Sequence, residues 1–264
     1  MRCAVVGHIE WVEFARVPRL PAAGDIVHAA ESWAEPAGGG SVVARQLARL
    51  AGRCEFFTAL GDDQLGREST RRLAELGIDL HVQTATGVPS RRAWTHVDAK
   101  GERTITLLSE KLHPHGPLPL EGYDAVFFTA GDVAALQSAR KARFLAATPR
   151  ESPTLRAAGV QLDLLVGSLN DPGEQVDSAV EATMIVQTDG AAGCIANGER
   201  FPSVPLPGPV VDTYGAGDSF AATLCFALAR GDALPTAIEL ASRAGASVIT
   251  GQGPYTTQLE LVDR

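Results

Sequence analysis

Short apolar runs rich in β-branched and aromatic residues recur along the chain, at CAVVG (3–7), CEFFTAL (54–60), DAVFFTA (124–130), LDLLVG (162–167) and TMIVQT (183–188). Runs this short and this apolar read as strands buried on both faces. Between them lie stretches with apolar residues at helical spacing, SVVARQLARLAG (41–52), GRESTRRLAELG (66–77) and DVAALQSARKARFLAA (132–147). The alternation predicts an α/β fold with a mostly parallel sheet covered by helices on both faces.

Two segments, about 10–36 and 90–108, break that rhythm. In them DIVHAAESW, RAWTHVD and RTITLL read as strands with no helix between, and DAKGER (98–103) supplies a hairpin turn. They predict a small antiparallel flap; an extension of the main sheet fits the pattern equally well. The proline-rich stretches 113–120 and 202–209 read as loops.

At 264 residues with 45% hydrophobic and 20% charged positions, the chain reads as one globular α/β domain with an appendage. Its formal net charge of −8 disfavours nucleic acid or an anionic membrane as partner, leaving small molecules. Only Lys100, Lys111 and Lys141 are lysines, so phosphate in the C-terminal half falls to backbone amides, arginine or a metal. Cys3, Cys54, Cys194 and Cys225 form no Cys-x-x-Cys pair and read as buried free thiols, and no run approaches a membrane span; a cytoplasmic location is expected. The histidines show no zinc-ligand spacing, and neither Gly-x-x-x-x-Gly-Lys-Ser/Thr nor Gly-x-Gly-x-x-Gly after the first strand occurs, against a P-loop kinase or a dinucleotide oxidoreductase.

The chemistry concentrates in VVDTYGAGDSF (210–220). Gly215, Ala216 and Gly217 lack bulk, so an anion can approach their amides where SFAATLCFALARG begins as a helix. Asp218 falls in the first helical turn, where the helix dipole favours its ionised form. It reads either as an N-terminal cap or as a base that takes the proton of an attacking hydroxyl, and spacing alone leaves the two level.

DTYGAGDSF closely resembles the second signature of the ribokinase-like, phosphofructokinase-B-type (pfkB) carbohydrate kinases. AGGGSVVARQLARLAGRCEFFTALGDDQLG (37–66) resembles the first. The resemblance implies a ribokinase-like three-layer α/β/α sandwich with a β-sheet lid, and ATP-dependent transfer of a γ-phosphate to a sugar hydroxyl with Mg2+ and a monovalent cation such as K+. It makes Asp218 the catalytic base, the amides from Gly215 to Asp218 the anion hole, and Asp212 part of the cation surroundings. Gly38, Gly39 and Gly40 would let the chain pass close to the sugar. Val42 stands where the family commonly has a sugar-contacting asparagine, and Val12 where relatives carry a substrate aspartate. Glu10 or Glu13 can substitute for that aspartate, or both are solvated flap residues.

DPGE (171–174) resembles the family's Asn-x-x-Glu element, with Asp171 in place of the asparagine and Glu174 kept, near Mg2+. As a local pattern it is equally a Pro-led helix start. The nucleotide is expected against Thr188, Gly190, Gly193 and the last helix with Ala244, up to Gly253; the Thr250 to Gly253 stretch is where the family builds its monovalent-cation site. Arg91, Arg92 and Arg103 lie on the flap, as solvated charges or as phosphate contacts. Two rival readings stand beside the sugar kinase: a nucleoside kinase of adenosine type, and a non-catalytic sugar- or nucleotide-binding regulator. Some relatives dimerise through the lid, so a homodimer is a further expectation.

Overall fold

The computed structural model describes residues 1–261. The strands are β1 (Cys3–Val6), β2 (Glu10–Arg16), β3 (Glu31–Ala37), β4 (Cys54–Gly61), β5 (Ile78–Ala85), β6 (Arg92–Val97), β7 (Arg103–Leu107), β8 (Ala125–Phe128), β9 (Phe144–Ala147), β10 (Leu162–Ser168), β11 (Ala182–Thr188), β12 (Cys194–Ala196) and β13 (Glu199–Phe201). The helices are α1 (Gly39–Ala51), α2 (Gln64–Glu75), α3 (Val133–Ala139), α4 (Ser152–Ala158), α5 (Ala216–Arg230) and α6 (Leu234–Val248).

Nine strands form one sheet in the order β13-β12-β11-β10-β9-β8-β1-β4-β5, parallel from β11 to β5 and antiparallel at the β12–β13 edge. In β1, β4, β8 and β10 both faces are buried, as the apolar runs predict, whereas β11 is only partly covered. Cys3, Val5, Phe56, Phe127 and Leu164 pack with Leu47 of α1, Leu224 of α5 and Ile238 of α6. Their neighbours Ala4, Val6, Phe57, Phe128 and Leu165 pack with Leu136 of α3 and Leu155 of α4 on the other face. A strand's period of two therefore produces the three layers directly. All four cysteines are buried free thiols. Among the described residues no helix is long and apolar enough to cross a membrane.

The segments that break the rhythm form a separate sheet, in the order β3-β2-β6-β7. The DAKGER turn joins β6 to β7, with Asp98 Oδ1 accepting from the amides of Lys100 and Glu102. This lid is not antiparallel throughout, because β2 and β6 run parallel. The chain leaves the lid to build α1, β4, α2 and β5 before it returns, so no hairpin can join those two strands.

Other readings also need correction. The strand expected from residue 25 starts only at Glu31. Gly24 has φ +86°, and Asp25 accepts from Ala22 N, so a turn occupies that place. The long helix expected over 132–147 is α3 followed by β9. Leu145 and Ala147 are wholly buried between β8 and β10, and filling that slot in the sheet outweighs the helix preference of an alanine-rich run.

Candidate active site

The loops at the carboxyl ends of the parallel strands converge on one recess, as they do in open α/β sheets. From the loop after β1 comes His8, from the first residue of β2 Glu10, from the start of α1 Gly38 and Gly39, and from the start of α5 Asp218. Gly215 precedes α5 with φ +85°, a left-handed conformation that turns the Ala216–Asp218 segment into the first helical turn; no side chain caps its amides, and Ala216 N donates to Thr213 O at 3.4 Å. Asp218 is half-buried and Gly217 exposed. A methyl group in place of the Gly39 hydrogen would stand 3.0 Å from Asp218 Oδ1 and 3.9 Å from His8 Cε1, so the missing side chain is what opens the space beside the carboxylate. Burial pushes the Asp218 carboxyl above the ordinary range; Arg103, His8 and Arg150 pull it down, and Glu10 adds to the rise.

Two buried residues tie the loop to its surroundings. Asp212 is wholly buried, with Oδ1 accepting from Tyr214 N at 2.9 Å and Oδ2 from Gly253 N at 3.0 Å. Tyr214 is also buried; its hydroxyl accepts from Gly38 N at 3.1 Å, and its ring meets Phe14 of β2 edge-on. One tyrosine thus joins the Asp218 loop, the glycine loop and the lid. Sequence reading leaves it at a variable position because nothing local signals contacts so distant along the chain.

The Gly61-Asp62-Asp63-x-x-Gly66 stretch has a similar task. Asp63 caps α2 by accepting from Gly66 N at 2.8 Å, and it also accepts from Ser90 N at 2.9 Å and Ser90 Oγ at 2.7 Å. A side chain at Gly61 would come within 2.3 Å of the Val88 carbonyl. These residues clamp the chain where it enters the lid, one position before Arg91. At the far end of the lid, Gly101 O accepts from Thr213 N at 2.9 Å and Arg103 Nη1 reaches Thr213 O at 3.4 Å. The hairpin tip therefore rests on the segment leading into Asp218.

The two candidate lid glutamates part company. Glu10 is 6% exposed, with Oε1 3.5 Å from His8 Nε2 and 3.2 Å from Arg91 Nε. Burial raises its pKa, but the bond from His8 and the charges of His8, Arg91 and Lys111 outweigh it and leave the carboxyl below the ordinary range. Glu13 lies on the outer face, paired with Arg92 and Trp94, away from the recess. Strand parity sends side chains three residues apart to opposite faces.

Val42 and Gly40 are buried rather than open to a ligand. Val42 Cγ1 lies under Gly215, and a side chain at Gly40 would stand 2.6 Å from His8 O, so both pack the loop from below. Ala244 is also wholly buried within α6. At Gly193 a side chain would meet the Phe201 carbonyl at 2.0 Å, which gives that glycine a packing reason in the β12–β13 hairpin. Thr188 ends β11 with its hydroxyl 3.3 Å from Gly167 O, and Gly190 is exposed in the turn that follows.

Asp171 and Glu174 share a partner the sequence reading does not single out. Arg150, just after β9, pairs with Asp171 and lies 3.5 Å from Glu174 Oε1. Burial raises the Glu174 carboxyl; Arg150 opposes the rise, while Asp218 and Asp171 add to it. Two carboxylates thus share one guanidinium, with Asp218 close enough to add to their negative field, which fits a hydrated divalent cation carried in on phosphates. Among the described residues no group of three or more His, Cys, Asp or Glu side chains forms a cage for a bare metal. Asp212 accepts from two backbone amides, one of them Gly253 N at the end of the Thr250–Gly253 stretch.

Residues 1–158 and 158–260 match the pfkB family carbohydrate kinase pattern. The aminoimidazole riboside kinase of Salmonella typhimurium is 27% identical, over 84% of this chain and 84% of its own. A crystal structure from Agrobacterium tumefaciens assigned as a ribokinase superposes with TM-score 0.81 at 26% identity, over 97% of this chain and 94% of that one. The Arabidopsis thaliana ribokinase complexed with ribose and ATP shares the fold at TM-score 0.73 and 18% identity, over 98% and 96% of the two chains.

Proposed function

Because the chain belongs to the pfkB family of carbohydrate kinases, we propose that it transfers the γ-phosphoryl group of ATP to a hydroxyl of a small sugar or riboside, with Asp218 as base. The acceptor oxygen forms a bond to the γ-phosphorus, the bond from that phosphorus to the bridging oxygen breaks, ADP leaves, and the acceptor proton passes to Asp218. The observation that carries the reading is the pairing of a half-buried carboxylate with a first turn of α5 whose amides carry no side-chain cap, across a gap kept open by Gly39. A loose phosphoryl-transfer transition state asks mainly for position and for charge stabilisation, which the Gly215–Asp218 amides supply.

Asp171 and Glu174 would hold Mg2+ through water, and the ion would neutralise charge on the transferred group. Glu35, half-buried against Gly253 with its carboxyl raised by burial and opposed by its Trp33 bond and Arg72, adds a second carboxylate near Asp212, which suits a monovalent cation. The outer lid face, a groove of about 430 Å³ lined by Trp11, Glu13, Trp94 and His96 among others, is our candidate for a homodimer contact. The ADP-release assay that tests the kinase reading presents sugars beside ribosides, since the Salmonella relative is named for a riboside. Turnover of one or more supports it; tight binding of a sugar with no ADP release favours a non-catalytic sensor.

A further inference from the structure

Arg91 is the residue in this recess whose chemistry the kinase reading leaves unused. Its guanidinium is 6% exposed, and Nε and Nη1 have no hydrogen-bond partner. Nε lies 3.2 Å from Glu10 Oε1, close enough for an ion pair but with no N–H directed along the contact. Beside it His8 is 8% exposed, and its Nδ1 is likewise buried without a partner. Unpaired buried donors are expensive, the more so on a charged group, and persist where a ligand completes them.

Arg91 is also held firmly. Its carbonyl accepts from Trp11 N at 2.8 Å, and the preceding Ser90 is clamped by Asp63. The wall therefore presents fixed donors, and a single carboxylate, Glu10, faces the charges of Arg91, His8 and Lys111. Lys111 is shared with Glu151 at 2.6 Å. His8 links this wall to the base, since it flanks Gly38 on one side and the Gly39–Asp218 gap on the other.

Resting on the kinase reading, we propose that the acceptor carries an anionic group, a carboxylate or a phosphate, received by the Arg91 guanidinium while one of its hydroxyls faces Asp218. A planar guanidinium offers paired donors that match either anion, whereas a neutral sugar leaves its charge uncompensated. The anion specifies the substrate class; Glu10 is left to accept from a hydroxyl.

The test compares matched acceptors: fructose, fructose 6-phosphate and 2-dehydrogluconate, with ribose, ribose 5-phosphate and ribonate. Binding is measured by calorimetry on Asp218→Asn protein, which needs no turnover, and kcat/KM on wild type. At least one anionic member should bind tenfold or more tightly than its neutral partner. That preference should fall at least tenfold in Arg91→Gln, be partly kept in Arg91→Lys, and be unchanged in Arg92→Gln, whose side chain lies on the outer face. Preference for phosphate over carboxylate, or the reverse, names the source. Neutral acceptors bound as tightly as all their anionic partners, or a preference that survives Arg91→Gln, overturns the proposal while leaving the kinase reading intact. Anion binding through Arg91 with no phosphorylated product supports it while the kinase reading fails.

Discussion

Alanine at position 39 puts a single methyl group into the gap on which the catalytic reading depends. The added carbon would lie 3.0 Å from Asp218 Oδ1 and 3.9 Å from His8 Cε1. The first distance is inside an ordinary contact of about 3.5 Å, so the carboxylate must retreat by roughly half an ångström. Stability should hardly suffer. Gly39 does not have positive φ, and alanine is preferred to glycine in a helix by about 0.5–1 kcal/mol, which offsets the crowding. Catalysis should suffer, because a displacement of about 1 Å costs on the order of 100-fold. We expect kcat/KM to fall by about 10- to 100-fold, some 1.4–2.8 kcal/mol of transition-state stabilisation, with Tm within a few degrees of wild type. ADP release under steady-state conditions and thermal melts by circular dichroism read the two quantities separately. An alanine variant with native Tm and kcat/KM within twofold of wild type would refute the claim that this gap holds the reacting atoms.

Three further predictions concern the supports of the site. Asp63→Asn should cost about 1–2 kcal/mol at neutral pH. Burial raises the Asp63 carboxyl, but the bonds from Ser90 and Gly66 outweigh it and depress the pKa. Its stabilisation is therefore present above the unfolded carboxylate range, about pH 4, and is lost as pH falls through the lower folded value; urea melts should show the wild-type advantage shrinking toward pH 3, and a pH-independent difference would contradict this. Tyr214→Phe removes the buried acceptor of Gly38 N and should lower stability by about 1–2 kcal/mol while raising the acceptor KM severalfold; unchanged values for both would show that the link is idle. Arg103→Met removes a charge that pulls the Asp218 carboxyl down, so that carboxyl should titrate higher and the acidic limb of kcat/KM should move to higher pH; a limb that stays put would deny Arg103 its place over the base.

The parallel sheet was legible because strands buried on both faces leave unbroken apolar runs, as in β1, β4, β8 and β10; β11 shows a similar run though only Val186 of it is fully buried. The loop before α5 was legible because small residues, a carboxylate and an apolar helix follow one another locally. What was not legible depended on partners far away in sequence. Alanine-rich 144–147 becomes a strand only because β8 and β10 leave a slot for it. Choosing Glu10 over Glu13 requires knowing which lid face looks inward, a parity that the chain does not declare without its neighbours. Val42, at the place of a family asparagine, and Ala244, in the small-residue last helix, are both enclosed by packing. Arg150 and Tyr214 act on partners far from them in the chain, and no motif announces either.

The central claim, that Asp218 is the base for phosphoryl transfer, is tested most directly by exchanging its carboxylate for the isosteric amide, as Asp218→Asn, and following both ADP release and the phosphorylated acceptor by 31P NMR. Burial holds the carboxyl above its ordinary range, so ionised Asp218 works against folding at neutral pH, and its neutral replacement should leave Tm equal or higher. With the fold intact, we predict that acceptor phosphorylation drops by about 100- to 10,000-fold while acceptor binding is kept. A folded Asp218→Asn protein that phosphorylates its acceptor within tenfold of the wild-type rate would contradict the account.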